Sequence, residues 1–254
     1  MNDLRAAASK VPAVTLGFWI IKIAATTLGE TGGDMASMTL NLGYLTSSAI
    51  FLTLLVVLVA VQIVARRLYP FLYWATIIAS TTAGTTMADF ADRSLGIGYA
   101  GGSILLALCL FSLLAAWYRS QGTISAYSVK TPTVECFYWA TITISQTLGT
   151  ALGDWLASAP NVGYIGGALV FGLALLIVVG MYFYTDISRV GLFWAAFILT
   201  RPLGATVGDF LDKPVSDGGL DISRPEATLL LVVFIVACIC IASWKQRSSG
   251  REST

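Results

Sequence analysis

Thr26-Thr27-Leu28-Gly29-Glu30-Thr31-Gly32-Gly33-Asp34 decides how the chain is read, because the same register returns three more times. The later copies are Thr81-Thr82-Ala83-Gly84-Thr85-Thr86-Met87-Ala88-Asp89, Gln146-Thr147-Leu148-Gly149-Thr150-Ala151-Leu152-Gly153-Asp154 and Arg201-Pro202-Leu203-Gly204-Ala205-Thr206-Val207-Gly208-Asp209. In each, a Gly stands five residues before the Asp and a Trp fifteen before it: Trp19, Trp74, Trp139 and Trp194. Nine residues after each Asp comes Gly43, Gly98, Gly163 or Gly218, and the first three precede Tyr44, Tyr99 and Tyr164. Successive tryptophans lie 55, 65 and 55 residues apart, so the halves superpose at an offset of 120. Lys10-Val11-Pro12 and Lys130-Thr131-Pro132 obey the same offset. A fixed period of this length means tandem copies of one supersecondary unit.

Of the 254 residues, 56% are hydrophobic and 11% charged. A soluble domain carries about 25% charge, so this chain lacks the polar surface a soluble fold needs and reads as an all-α integral membrane protein. The net charge of +1 provides no field for recruiting nucleic acid. Cys109, Cys136, Cys238 and Cys240 lie in or beside apolar runs and form neither a disulfide framework nor a Cys-x-x-Cys metal site. Histidine is absent, which removes imidazole as ligand or proton relay. Residues 1–12 and the apolar run after them show no cleavable signal pattern.

A bilayer core of roughly 30 Å needs about 20 mostly apolar helical residues. Eight such transmembrane helices are expected, over 13–35, 43–65, 70–90, 98–118, 133–155, 163–184, 189–210 and 226–244. They form one membrane domain, 1–254, of four helical hairpins, with repeats at 12–66, 67–121, 132–186 and 187–245. Odd spans carry the Trp and the Gly/Thr/Asp segment; even spans are plain. Arg5, Lys10, Arg66, Arg67, Arg119, Lys130, Arg189, Lys245, Arg247 and Arg251 fall on the side that holds both termini, against Arg93, Lys213 and Arg224 opposite. That bias predicts that both termini are cytoplasmic. Two spans per repeat give all four copies one orientation, so they are parallel repeats about an axis along the membrane normal. Odd helices are expected inside and even helices outside, with small residues such as Gly29, Gly84, Gly149 and Gly204 at close contacts.

Ionisable groups inside a membrane face protein or water, and each is a candidate functional residue. Lys22, Glu30, Asp34, Asp89, Asp154, Arg201 and Asp209 are these groups, five acids and two bases with a formal −3. Glu30 and Asp34 share a helix face one turn apart, with Lys22 two turns deeper. The expected ligands are all oxygen: the five carboxylates, with Thr27, Thr82, Thr85, Thr147 and Gln146 to complete the shell. Such a set suits hard ions over Zn²⁺ or Cu⁺, and paired glycines permit a locally unwound helix. The copies are not equivalent. Seven residues after each Trp stand Thr26, Thr81, Gln146 and Arg201; eleven after it stand Glu30, Thr85, Thr150 and Ala205. One asymmetric site is expected, with Lys22 and Arg201 as internal counter-charges and Arg201 pairing with Glu30 or an Asp. Plainer readings compete. The glycines serve packing, an Asp finishes its helix at the water line, the tryptophans and tyrosines anchor the interfaces, and Lys22 snorkels.

Four tandem two-span repeats, each with a Trp and a Gly/Thr-rich Gly-Asp segment, resemble the bacterial membrane-protein family built from a repeat of unknown function. Trp19, Trp74, Trp139 and Trp194 match the repeat's Trp, and Asp34, Asp89, Asp154 and Asp209 its acidic end. That family implies an architecture and no activity. Glu30 to Asp34 also resembles the Glu-x-Gly-Asp signature of a manganese and calcium exporter family, with one extra residue before the Asp. The function expected is secondary transport of a hard divalent cation such as Mn²⁺, as an exporter driven by an ion or proton gradient. The alternatives are a cation channel with an Asp ring and a carrier of a small anionic or polar solute using Arg201. No nucleophile–base pair or cofactor motif points to an enzyme. The expected partners are the lipid bilayer and a small inorganic cation, without nucleic acid, in a monomer or homodimer.

Overall fold

The computed structural model describes residues 9–65 and 67–251, and of 245–251 only the backbone. Arg5 and Arg66, and the side chains of Lys245, Arg247 and Arg251, all counted in the charge bias, lie outside the described residues. Eight long helices stand at the expected places: α1 Leu16–Asp34, α2 Gly43–Val64, α3 Pro70–Asp89, α4 Tyr99–Gln121, α5 Pro132–Ala157, α6 Gly163–Tyr184, α7 Arg189–Asp212 and α8 Arg224–Arg251. Pro70 and Pro132 sit in the first turn of α3 and α5, where a missing N–H costs nothing. Thr15, Thr131 and Ser188 accept backbone N–H bonds at the starts of α1, α5 and α7.

The odd helices form a closed ring: α1 packs on α3, α3 on α5, α5 on α7 and α7 on α1. The glycines make that ring possible. A Cβ on Gly84 would lie 2.9 Å from the Gln146 backbone carbon, and Gly29, Gly149 and Gly204 are likewise filled by Thr81, Arg201 and Thr26. The Gly five residues before each Asp therefore receives the residue seven after the Trp of the next odd helix, all the way round. No unwinding occurs at these positions. The helices run unbroken through them, and the departures from α-geometry are π-turns just beyond two of the aspartates, Met35–Thr39 and Phe90–Ser94.

Each even helix lies outside the ring, but the expected hairpin is one of connectivity and not of packing. α2 seats mainly on α3, α4 on α5, α6 on α7, and α8 returns to α1. An odd helix has given its glycine edge to its neighbour in the ring. The segments after each Asp carry the chain outward, and the even helix then covers the next odd helix. The outer faces are apolar and exposed, as at Leu54 and Val57, Leu105 and Leu108, Leu173 and Leu176, and Leu229 and Val233. Five helices are long and apolar enough to cross a membrane among the described residues: α2, α4, α6, α7 and α8 up to Trp244. α1, α3 and α5 are diluted by Thr, Gly and Asp, yet those residues are buried against one another. The five apolar helices are compatible with a multi-pass membrane protein, and the polar residues are turned inward.

The end of the ring opposite the aspartates is closed by aromatic rings. Phe18, Tyr73, Tyr138 and Phe193 each precede a repeat Trp, and Tyr73 and Tyr138 share a hydroxyl hydrogen bond of 2.7 Å. Trp74, Trp139 and Trp194 are buried among them. The expectation of four interfacial tryptophans fails at these three, since edge-to-face packing inside the ring takes their surface. Residues 9–11 and the connector between the halves meet at this end. Lys10 Nζ binds buried Glu135 at 2.6 Å and the carbonyls of Gln62 and Ile63 at 3.2 and 3.0 Å.

Candidate functional site

Arg201 on α7 reaches across the axis of the ring. Its Nη2 is 3.0 Å from the Glu30 carboxylate on α1 and donates to the hydroxyls of Thr85 on α3 and Thr150 on α5. One guanidinium group thus ties its own helix to the other three. Thr85 in turn donates to the Gly29 carbonyl at 3.0 Å and lies 3.3 Å from Glu30. Arg201 is fully buried and Glu30 nearly so. A charge held in that setting must be paired, and of the partners expected for Arg201, Glu30 or an Asp, the structure pairs it with Glu30.

Toward the aspartate end the carboxylates converge. One oxygen each from Glu30, Asp154 and Asp209 lie within 4.8 Å of one another, and so do Asp34, Asp209 and Asp212. All five residues are buried. Asp89 completes the layer. It is 3.0 Å from Arg93 Nε, and Arg93 Nη2 is 3.8 Å from Asp154. Lys213 bonds Asp34 and lies 3.0 Å from Asp209 and 3.9 Å from Asp212. Arg224 joins from the start of α8, 3.1 Å from Asp212 and 3.8 Å from Asp34. Lys213 lies just past the end of α7. Burial opposes its charge, but Asp209, Asp34 and Asp212 outweigh that and hold its pKa above the ordinary lysine range.

Several expected roles change. The interior was expected to carry five acids against two bases, but Arg93, Lys213 and Arg224, read as outer-loop charges, fold onto the aspartates and match that excess of three, to which buried Asp212 adds one acid. Arg93 and Lys213 each stand four residues after an Asp and are 120 residues apart, so the register itself carried the signal. Tyr44, read as an interface anchor, accepts from Arg93 Nη1 at 3.1 Å. Thr27, Thr82 and Thr147 do not join the site. Their hydroxyls bond the carbonyls four residues back, of Ile23, Ile78 and Thr143, at 3.1, 2.8 and 3.0 Å, as a helical threonine does when no better partner is near. Thr85 is the expected threonine that does reach the charges, and Thr150 is reached with it. Lys22 does not snorkel: it is fully buried, with Nζ 4.2 Å above the Phe197 ring. Gln146 is fully buried, and neither end of its amide has a partner among the described residues.

No curated protein and no solved structure matches the chain. The family described as Repeat of Unknown Function (DUF347) matches residues 17–68, 72–123, 137–188 and 192–248, one match per repeat. Each matched segment runs from an odd helix through the even helix that follows, so the family's unit is the sequence repeat and the ring is what four of them build. By this match over most of its length, the chain belongs to the Repeat of Unknown Function family.

Proposed function

We propose that the protein is a secondary transporter of a hard divalent cation, with Mn²⁺ as the type substrate, and not an enzyme. The observation that carries this reading is the buried meeting of Glu30, Asp154 and Asp209, from three helices, within 4.8 Å. Three oxygen ligands at that spacing suit Mn²⁺ or a similar hard ion and supply nothing that favours a soft one. Arg201 and Lys213 neutralise the carboxylates in the structure described. An arriving cation would replace Arg201 at Glu30 and Lys213 at Asp209, and the displaced cations would return as the ion leaves.

In this reading all eight helices cross the inner membrane of a bacterium, with both termini cytoplasmic and the aspartates near the outer face. The polar helices α1, α3 and α5 are tolerated because their polar residues face the ring interior. The ring is complete within one chain, so a monomer suffices. An ion or proton gradient would drive transport outward. The Arg201 junction across the axis favours a carrier over an open cation pore, since a pore needs a continuous wet path.

The test is Mn²⁺ flux into proteoliposomes. Asp154→Asn and Asp209→Asn should each slow it by more than about tenfold, a loss that even outer-shell partners of a metal can produce. Wild-type flux in both variants, or single-channel conductance from the unaltered protein, would overturn the carrier reading.

A further inference from the structure

Beneath the carboxylates lies a second polar layer with the opposite character. Lys22 is one turn below Thr26 on α1, and the Thr26 hydroxyl meets the Thr200 carbonyl of α7 at 3.0 Å. Phe197, which Lys22 Nζ overlies, is one turn below Arg201 on α7. Lys22 and Arg201 therefore project from adjacent helices on successive turns. Gln146 stands on α5 one turn from Gly149, against which the aliphatic stem of Arg201 packs. All three side chains are fully buried.

Apart from Arg201 Nη2, their side-chain polar atoms (Lys22 Nζ, Arg201 Nε and Nη1, and both ends of the Gln146 amide) have no hydrogen-bond partner among the described residues. Arg201 makes its bonds to Glu30, Thr85 and Thr150 through Nη2 alone. The free donors thus come from three helices, and two of the three residues are basic. Glu30 pairs with Arg201, which leaves Lys22 without a carboxylate partner at this depth. Buried donors without partners cost several kcal/mol each in hydrocarbon surroundings, and an unpaired cation costs more. A phenyl face at 4.2 Å relieves only part of this.

We propose that Lys22, Gln146 and Arg201 form a binding site for one small monovalent anion, of the size of chloride or formate. Such an ion supplies the missing charge and accepts from an ammonium, an amide and the unused edge of a guanidinium group together. A divalent anion would overshoot the charge, and a larger one would have to part helices already in contact through Gly149 and Gly204. The site shares Arg201 with the Glu30 pair but takes its other edge, Nε and Nη1, and its test does not depend on the cation reading.

The test uses the purified full-length protein in detergent, without divalent metal, at constant ionic strength set with sodium gluconate. Thermal unfolding is followed as chloride, or formate, replaces gluconate. A saturable rise of the midpoint with either ion is expected, absent in Lys22→Met and weakened in Gln146→Leu. Lys22→Met removes a buried amine without a hydrogen-bond partner and leaves the packing beside Phe197 filled, so it should fold. Its midpoint in gluconate should equal or exceed that of the wild type. No saturable rise in the wild type, or the same rise in both variants, would overturn the site. A positive result for chloride alone identifies a halide site, and one for formate as well identifies a site that also takes a carboxylate. The Asp154→Asn flux result has no bearing on either arm, so the two readings can fail separately.

Discussion

Arg93 and Lys213 hold equivalent places in the two halves of the ring. Each stands one turn after its own aspartate and reaches across to the aspartate of the next odd helix, Arg93 from Asp89 to Asp154 and Lys213 from Asp209 to Asp34. Four carboxylates are thus grouped as two clamped pairs. The outer charge layer keeps the two-fold relationship of the sequence halves, while the centre, with its single Arg201–Glu30 pair, abandons it.

The clamp gives a pH signature. A lysine whose folded pKa is raised adds stability that is fully present below its unfolded value of about 10.4 and is lost as pH climbs through the folded value. Wild-type protein should therefore keep the Lys213 contribution throughout the neutral range. In Lys213→Gln, Asp34, Asp209 and Asp212 face one another without it, so the unfolding midpoint should fall at pH 7. The deficit should narrow as the pH is lowered and the negative charge that Lys213 offsets falls. Midpoints measured from pH 7 downward check this, and a constant deficit would refute it.

Glu30→Gln and Arg201→Met should each destabilise the ring by about 3–5 kcal/mol, because each leaves a buried charge without its partner. The double variant should lose much less than the two effects added. Thermal or denaturant unfolding of the four proteins in one detergent provides the cycle.

Glycine substitutions should separate by place and not by residue type. Gly84→Ala puts a methyl group against Gln146 backbone at 2.9 Å, which cannot yield without parting α3 from α5. Folded yield should drop sharply. Gly32→Ala meets nothing within 4 Å in the same kind of helix and should be neutral, or stabilising by about 0.5–1 kcal/mol. Size-exclusion recovery after mild heating distinguishes them.

Lys10→Met should loosen the end opposite the aspartates. It strands Glu135, which is fully buried, and frees the last carbonyls of α2 from their cap. Loss of about 3 kcal/mol or more is expected from the stranded charge. Glu135→Gln in the same background should restore part of it, as read by unfolding midpoints.

The sequence alone determined the repeat, the eight helices, the inward turn of the Gly/Thr/Asp faces and the need of Arg201 for a carboxylate, Glu30 or an Asp, of which the structure selects Glu30. These follow from register and from the cost of burying charge, which are local or nearly so. The 120-residue match of Arg93 with Lys213 is present in the sequence as well, but only the folded ring brings each to an aspartate of the next odd helix. Tertiary structure decided which helix covers which, since α2 could have folded back on α1 as readily by chain length as it seats on α3. It also decided that Thr27, Thr82 and Thr147 turn to their own helix carbonyls while Thr85 and Thr150 meet the guanidinium group. The physical reason is rotation about each helix axis. A shift of one residue moves a side chain by about 100°, and only the glycine contacts between neighbouring helices fix where that rotation stops.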